Sequence, residues 1–166
     1  MKYFYDTEFH DDGKTIDLIS IGIVAEDGRE YCAVNTEADW GRINQHDWLP
    51  ANVVSQLPKL GSSVWKYKSK IAREVADFLL HDAAGNRHQP ELWAWFAAYD
   101  HVVLSQLFGR MLDLPEGIPM YTHDLRAYLD YVKVKGIPTQ VGGLHDALED
   151  AKHVKVVHDY VMGRRA

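Results

Sequence analysis

Three β-rich segments separated by two Asp-Gly turns fill the first 34 residues, and this pattern restricts the fold more than any other feature of the chain. Residues 3–9, 16–25 and 29–34 are rich in aromatic and β-branched side chains, which favour strands. Asp12-Gly13 and Asp27-Gly28 stand between these segments, and Asp-Gly is a strong signal for a tight hairpin turn. Strands joined by such short turns pair antiparallel. The chain is therefore expected to begin with a three-stranded antiparallel meander.

After the meander the pattern becomes helical. Residues 39–60 are expected to form short helical pieces, one of which begins at Pro50 and runs through Val53, Val54 and Leu57. Ser62 or Ser63 is expected to cap a longer helix, because apolar residues follow at helical spacing. The apolar face of this helix would consist of Ile71, Val75, Phe78 and Leu79.

The second half of the chain alternates strand and helix. Residues 91–99 form an almost unbroken apolar run, typical of a strand buried on both faces, and Asp100 ends it. A short strand is expected at residues 120–122, then a helix begun by Asp124, and a last helix over about 146–162. This order predicts an α/β fold of the ribonuclease H-like type. Its mixed sheet would have five to six strands, three antiparallel and the others parallel, flanked by helices.

Length and composition predict one domain over residues 1–166, with 46% hydrophobic and 25% charged residues. We expect no membrane contact and a cytoplasmic location, because no apolar run reaches the length of a membrane span and no leader pattern precedes the first strand. The single cysteine, Cys32, excludes an internal disulfide and a cysteine-based zinc site. The net charge of −6 argues against non-specific coating of nucleic acid, but not against an enzyme that acts on it.

Asp6 and Glu8 are the first candidate site residues. Positions i and i+2 of a strand face the same side, so the two carboxylates should project side by side. Carboxylates held this close repel each other unless they share a proton or a cation. A solvated strand end is the simpler explanation for such a pair taken alone. Asp6 is the only aspartate in the chain with glutamate two positions later.

A second set of candidates lies near the end of the chain. Among nine histidines, only His145 has an acid five positions later, Asp150. Within one helix these side chains would point in different directions, but they can meet if His145 lies on the glycine-flanked loop before the helix. Asp100 is expected at a strand-to-helix junction, where ligand sites of α/β sheets are common.

These motifs together resemble the DEDDh family of 3′-5′ exonucleases, which includes ribonuclease T, oligoribonuclease and polymerase proofreading subunits. The resemblance consists of Asp-x-Glu on the first strand, Asp100 after the fourth, and His-x-x-x-x-Asp at the last helix, and it extends from Asp6 through Asp150. Among its members the chain looks most like the small mycobacterial-type 3′-5′ exoribonucleases. That narrower likeness rests on the length, the Asp-Thr-Glu-Phe opening and the segment 40–58, rich in Trp, Asn and Pro.

The resemblance implies a metal-dependent hydrolase. Asp6, Glu8, Asp100 and Asp150 would be catalytic metal ligands for two Mg²⁺ or Mn²⁺ ions, which prefer oxygen donors. His145 would be the general base that takes a proton from the attacking water. The expected reaction is hydrolysis of 3′-terminal phosphodiesters with release of nucleoside 5′-monophosphates.

The expected partner is RNA, with a single-stranded 3′ end or 3′ overhang, and the resemblance implies a homodimer. Two positions differ from many family members: Phe96 replaces an asparagine, and Phe9 replaces a threonine after the glutamate. Thr7 and Phe9 are candidates for substrate contact. Phe9 could stack on a base or belong to the core. A track for the nucleic-acid backbone could be formed by Lys66, Lys68, Lys70, Arg73, Lys133, Lys135, Lys152 and Lys155.

Three alternatives stay open at the level of sequence. A 3′-5′ exonuclease acting on DNA would carry the same motifs, because recognition of the 2′-hydroxyl has no readable motif. A non-catalytic nucleic-acid-binding domain is disfavoured by the complete ligand set. Six His-Asp dipeptides would suit a class of metal phosphohydrolases, but those proteins are all-helical and this chain begins with strands.

Overall fold

A six-stranded mixed sheet forms the centre of the computed structural model, which describes residues 1–164. The strand order is β4-β3-β2-β1-β5-β6. Strands β1, β2 and β3 pair antiparallel, whereas β4, β5 and β6 each join the sheet parallel to a neighbour. The predicted mixed sheet with a leading meander is confirmed. The strands are β1 Lys2–Asp11, β2 Ile16–Ala25, β3 Glu30–Asn35, β4 Trp65–Lys66, β5 Glu91–Ala94 and β6 His123–Asp124.

Six α-helices accompany the sheet over residues 1–164, together with 3₁₀ turns at Val54–Gln56 and Met111–Asp113. Helix α2 begins at Leu49, one residue before the predicted start, and Pro50 lies in its first turn. The helix expected to run through Leu57 ends at Asn52 instead, and a separate 3₁₀ turn follows. The helices are α1 Trp40–Gln45, α2 Leu49–Asn52, α3 Lys68–Leu80, α4 Ala97–Phe108, α5 Leu125–Val132 and α6 Ala147–Gly163.

Alternation along β1 divides the core between the two faces of the sheet. Tyr3 and Tyr5 pack into a cluster with residues of α3 and α4 on one face. Phe4 points to the opposite face and packs with buried residues of α5 and α6. A third, smaller cluster joins Ile19 of β2 to α1 and α2. Helix α6 therefore lies against β1 on the side that Phe4 faces.

The apolar run at residues 91–99 does not form one strand, and Asp100 does not end a strand. Strand β5 stops at Ala94, a turn follows, and α4 begins at Ala97, so Asp100 lies in the first turn of a helix. A continuous apolar run cannot distinguish a buried strand from the buried face of a helix. Phe96 makes the turn with a left-handed backbone (φ 56°).

Two further boundaries differ from the sequence prediction. Helix α3 begins at Lys68 after the short strand β4, and its N-cap Tyr67 makes no side-chain capping bond, so neither predicted serine caps it. The strand expected at residues 120–122 is His123–Asp124 instead. Helices α5 and α6 begin as predicted, after the N-cap side chains of Asp124 and Asp146.

The helices of residues 1–164 include none with the length and apolar character needed to span a bilayer.

Candidate active site

Strand β1 carries Asp6 and Glu8 at the centre of the sheet. It lies between β2 and β5. This central position is the one that β1 needs if Asp100 and Asp150 are both to reach its carboxylates. Successive side chains of β1 point to opposite faces of the sheet, and Tyr3 and Tyr5 face α3 and α4. Asp6 and Glu8 therefore point to the other face, which Phe4 shares and α6 covers. Glu8 is only 9% exposed. A break in the β1–β2 register directly after Glu8 ends this regular alternation.

Gly22 of β2 brings α6 close to these acids. It pairs with Asp6 across the two strands. A Cβ atom on Gly22 would lie 2.3 Å from the backbone of Ala147 and of Leu148, so no side chain fits between β2 and the first turn of α6. The helix therefore packs directly on the strand and carries Asp150 toward β1.

Asp100 is held in place by Thr7. The Asp100 Oδ1 accepts hydrogen bonds from the Thr7 backbone N–H at 2.9 Å and from the Thr7 hydroxyl at 2.6 Å. Strand β5 pairs with β1 only as far as Phe4, so the N–H of Thr7 lies beyond the end of that pairing. The Asp100 carboxylate thus accepts the hydrogen bond that a backbone carbonyl of a longer β5 would have accepted.

His145 lies on the loop before α6, as predicted from its distance to Asp150. Its φ of 65° is in the left-handed region, and it follows Gly142 and Gly143, which are also left-handed. The His145 backbone N–H donates to the Asp150 carboxylate at 2.9 Å, and the side-chain amide of Gln140 donates to the other oxygen. The loop conformation therefore places His145 and Asp150 side by side.

Glu8, His145 and Asp150 form a close group, with one potential ligand atom from each lying within 4.8 Å of the others. The His145 Nδ1 is 3.9 Å from the Glu8 carboxylate. Asp6 and Asp100 lie outside this group, although Asp6 lines the same cavity as His145 and Asp150. We call this cavity of about 480 Å³ the acidic cleft. Its lining also includes Trp95, Ile137, Thr139, Gln140, Leu144, His153 and Val154.

The four predicted ligands have raised pKa values. Burial raises the pKa of Asp6 well above its ordinary value, and repulsion from Asp100, Glu8 and Asp150 adds to the effect. Burial, with repulsion from Asp150 and Asp100, raises the pKa of Glu8 to about 8. Burial raises the pKa of Asp100 to about 6 against the opposing hydrogen bonds from Thr7. The pKa of Asp150 is also raised by burial, against the hydrogen bonds from Gln140 and His145.

These carboxylates fit a divalent cation. Apart from the contact between His145 and Glu8, none of them forms an ion pair with a basic side chain over residues 1–164. Buried acids crowded together without a cation hold protons instead, and a divalent ion would replace those protons. Their oxygen donors suit Mg²⁺ or Mn²⁺.

Thr7 and Phe9, the candidates for substrate contact, both face other residues of the protein. Thr7 is buried and its hydroxyl is bonded to Asp100. Phe9 is partly buried against the main core, and its ring stacks on Tyr99 with centroids 5.7 Å apart. Tyr99 is half exposed, so the outer face of this aromatic pair is open to solvent.

Three residues beside the site are not among those that the sequence predicts. Gln140 bonds Asp150 from a loop, and Trp48 sets the edge of its ring against His145 with centroids 4.7 Å apart. Gly22 interrupts an apolar strand, which is a general mark of close backbone approach but does not identify the partner. Trp48 and His145 lie far apart in the sequence and meet only in the folded chain, whereas Gln140 lies ten residues before Asp150.

The chain is similar to known proteins along most of its length. It matches the model of a family described as 3′-5′ exoribonuclease Rv2179c-like domain over residues 1–162. It is also similar to two curated proteins of Mycobacterium tuberculosis, the 3′-5′ exoribonuclease Rv2179c of strain H37Rv and the 3′-5′ exoribonuclease MT2234.1 of strain CDC 1551. Identity to each is 45% over 152 residues, which cover 92% of this chain and 88% of the relative. The matched family region includes every residue of the predicted site.

Proposed function

Because this chain belongs to the family of Rv2179c-like 3′-5′ exoribonuclease domains, we propose that its acidic cleft releases nucleoside 5′-monophosphates one at a time from the 3′ end of RNA. The chain is a 3′-5′ exoribonuclease and so a phosphodiester hydrolase. The observation that carries the assignment to this cleft is the meeting of Glu8, His145 and Asp150 within 4.8 Å. Three distant parts of the sequence supply them and the neighbouring acids.

The family implies dependence on a metal, and we propose that two Mg²⁺ or Mn²⁺ ions are held by Asp6, Glu8, Asp100 and Asp150. Asp6 would serve both ions. When bound, such ions stabilise the charge on the attacking and leaving oxygens of an in-line displacement. The carboxylates must lose their protons to act as ligands, so ion binding would release protons.

His145 is the proposed general base. An imidazole exchanges a proton near neutral pH, as the activation of water requires. The 3.9 Å from its Nδ1 to Glu8 is too long for a hydrogen bond, so Glu8 does not fix the ring. The glycines before it would let the loop move when substrate binds.

The remaining lining of the acidic cleft suits a terminal nucleotide. Trp95, Ile137 and Leu144 offer apolar surface, whereas Thr139 and His153 add polar groups beside the acids. A mainly apolar cleft with a few convergent polar groups is the usual form of a small-ligand site. The base would lie against the apolar part while the scissile phosphate faces the carboxylates.

A 5′-labelled oligoribonucleotide incubated with Mg²⁺ tests the proposal. The expected product is a ladder that shortens from the 3′ end, and EDTA should abolish it. An uncut oligonucleotide that shifts in a native gel would indicate a binding domain, and internal cuts would indicate an endonuclease. The same assay with DNA of identical sequence decides the preference for the sugar.

We also propose a homodimer, as the family resemblance implies. Sedimentation velocity over a hundredfold range of protein concentration tests this assembly, and a monomer throughout would reject it.

One domain over residues 1–166 and a cytoplasmic location stay predictions. In the structure Cys32 is a free, half-buried thiol.

A further inference from the structure

A second cavity lies beside the acidic cleft, and we propose that it binds the backbone phosphates of RNA upstream of the terminal nucleotide. We call it the basic cavity, and its volume is about 620 Å³. This inference rests on the proposed function, because it concerns the 5′ portion of the same substrate. The basic cavity is lined by Trp95, Arg126, Leu129, Asp130, Lys133, Val134, Lys135, Gly136 and Ile137.

The two cavities are neighbours. Trp95 and Ile137 line both of them, so these side chains form the ridge between the acidic cleft and the basic cavity. In the proposed arrangement, a chain held at its 3′ end in the acidic cleft continues in the 5′ direction across this boundary. An aromatic ring at that point can stack on a base of any identity.

The charges of the basic cavity favour a polyanion. Arg126, Lys133 and Lys135 supply three positive charges, and Asp130 supplies one negative charge, which leaves an excess of two. Arg126 and Asp130 form an exposed ion pair, so the excess resides on the two lysines. In the adjacent acidic cleft the balance is reversed. When the scissile phosphate of RNA faces a metal-loaded acidic cleft, the next phosphates of the backbone would lie near the positive charges of the basic cavity.

Lys133 and Lys135 differ from most of the other basic residues predicted to bind the nucleic-acid backbone, because those residues form ion pairs within the protein. Lys66 and Lys70 pair with Glu74, Lys152 pairs with Glu30 and Glu149, and Lys155 pairs with Asp159. Over residues 1–164 the side chains of Lys68, Arg73, Lys133 and Lys135 form no such pair. Of these four, only Lys133 and Lys135 border a cavity that adjoins the acidic cleft.

The backbone at Lys133 is a second, independent feature. Lys133 ends α5 as its C-cap with φ 57°, a left-handed conformation that usually calls for glycine. A lysine at this position is strained, and strained residues are common at functional sites. The strain is therefore found at a residue that gives the basic cavity its charge.

The test removes both lysine charges and compares substrates of different length. The variant Lys133→Asn/Lys135→Gln keeps a residue that tolerates the left-handed backbone. Its affinity for a 5′-fluorescein 12-mer of RNA should fall on the order of tenfold. Anisotropy with Mg²⁺ measures this affinity in a His145→Ala background, in which cutting is expected to be much slower. The salt dependence of binding, log Kd against log[KCl], should lose a slope of about 1.4, since each phosphate contact on a single strand contributes about 0.7. Hydrolysis of a dinucleotide by the enzyme with His145 intact should not change.

The matched control is Lys14→Gln/Lys59→Gln, which removes the same number of charges from two exposed lysines that line neither cavity. It should leave the affinity for the 12-mer and the salt slope unchanged. The proposal is overturned if both double variants weaken binding equally, if the slope is unchanged, or if the dinucleotide is affected as strongly as the 12-mer. Failure of the proposed function has a different signature: the wild-type protein would bind the 12-mer but not shorten it with Mg²⁺.

Discussion

The single residue His145 contacts the site in two ways, through its backbone and through its side chain. Its backbone N–H holds Asp150, and its imidazole faces Glu8 and Trp48. Removing the side chain separates these contributions, because the backbone hydrogen bond stays. The residue can therefore be tested as a base without dismantling the carboxylate beside it.

His145→Ala is expected to lower turnover of an oligoribonucleotide by about 10² to 10⁴ while Mn²⁺ affinity stays near that of the wild type. The reason is that the proposed base acts on water, whereas the proposed metal ligands are the carboxylates. Single-turnover kinetics and calorimetric titration with Mn²⁺ measure the two effects. Full activity would remove His145 from the mechanism. A large loss of Mn²⁺ affinity would indicate that His145 is itself a metal ligand. Its position allows this, because a potential ligand atom of His145 lies within 4.8 Å of those of Glu8 and Asp150.

Asp6→Asn is expected to abolish detectable turnover, because Asp6 is proposed to serve both ions and an amide is a weaker ligand than a carboxylate. The substitution is isosteric, so the melting temperature of the metal-free protein should not fall. Activity should be followed over a range of Mg²⁺ concentrations. Near-normal turnover at high Mg²⁺ would contradict the shared role of Asp6.

At the scale of elements, the approach of α6 to β2 decides whether the site can assemble. Gly22→Ala would place a methyl group 2.3 Å from the backbone of α6, so the helix must shift. We expect a loss of about 1 to 3 kcal/mol in the free energy of unfolding, typical of overpacking. Turnover should fall as well, because Asp150 moves with the helix. Urea denaturation and the ladder assay measure these effects.

Gly163→Ala is the matched control for this prediction. Gly163 lies at the other end of α6, and a Cβ atom added there would have nothing within 4 Å, so this substitution should lower neither stability nor turnover. Wild-type turnover in Gly22→Ala would mean that the distance between α6 and β1 is not critical.

The meander and the last two helices could be predicted because their signals are local. Asp-Gly turns define β1 to β3, and Asp146 caps α6 through its own side chain. The position of Asp100 could not be predicted, since an apolar run followed by an acid is compatible with a strand end or with the first turn of a helix. Gln140 and Trp48 reach the site through tertiary contacts, which leave no local pattern.

At the scale of the whole molecule, the raised pKa values link stability to pH. The pKa of Glu8 rises from an ordinary value of 4.5 to about 8, and that of Asp100 from 3.8 to about 6. The native protein therefore keeps protons that the unfolded chain has released. This contribution to stability is fully present below the ordinary values and is lost as the pH rises through about 6 and then about 8.

In EDTA, the melting temperature is expected to fall between pH 5 and pH 8.5. Each kcal/mol lost should lower it by about 2 to 4 °C for a protein of this size. Mg²⁺ should reduce the fall, because it neutralises the ionised carboxylates. Differential scanning fluorimetry measures both series. Glu8→Gln, which cannot ionise, should flatten the metal-free curve, and a melting temperature that rises over this range would contradict the assignment.

The hydrogen bond from the Thr7 amide to Asp100 has a consequence for observation in solution. An amide proton that points at a carboxylate responds to that carboxylate's charge, and its exchange with solvent requires the contact to open. In an amide NMR spectrum the Thr7 resonance would therefore report the ionisation and metal loading of Asp100 in the absence of RNA. A single backbone nucleus could follow the state of the site through an entire titration.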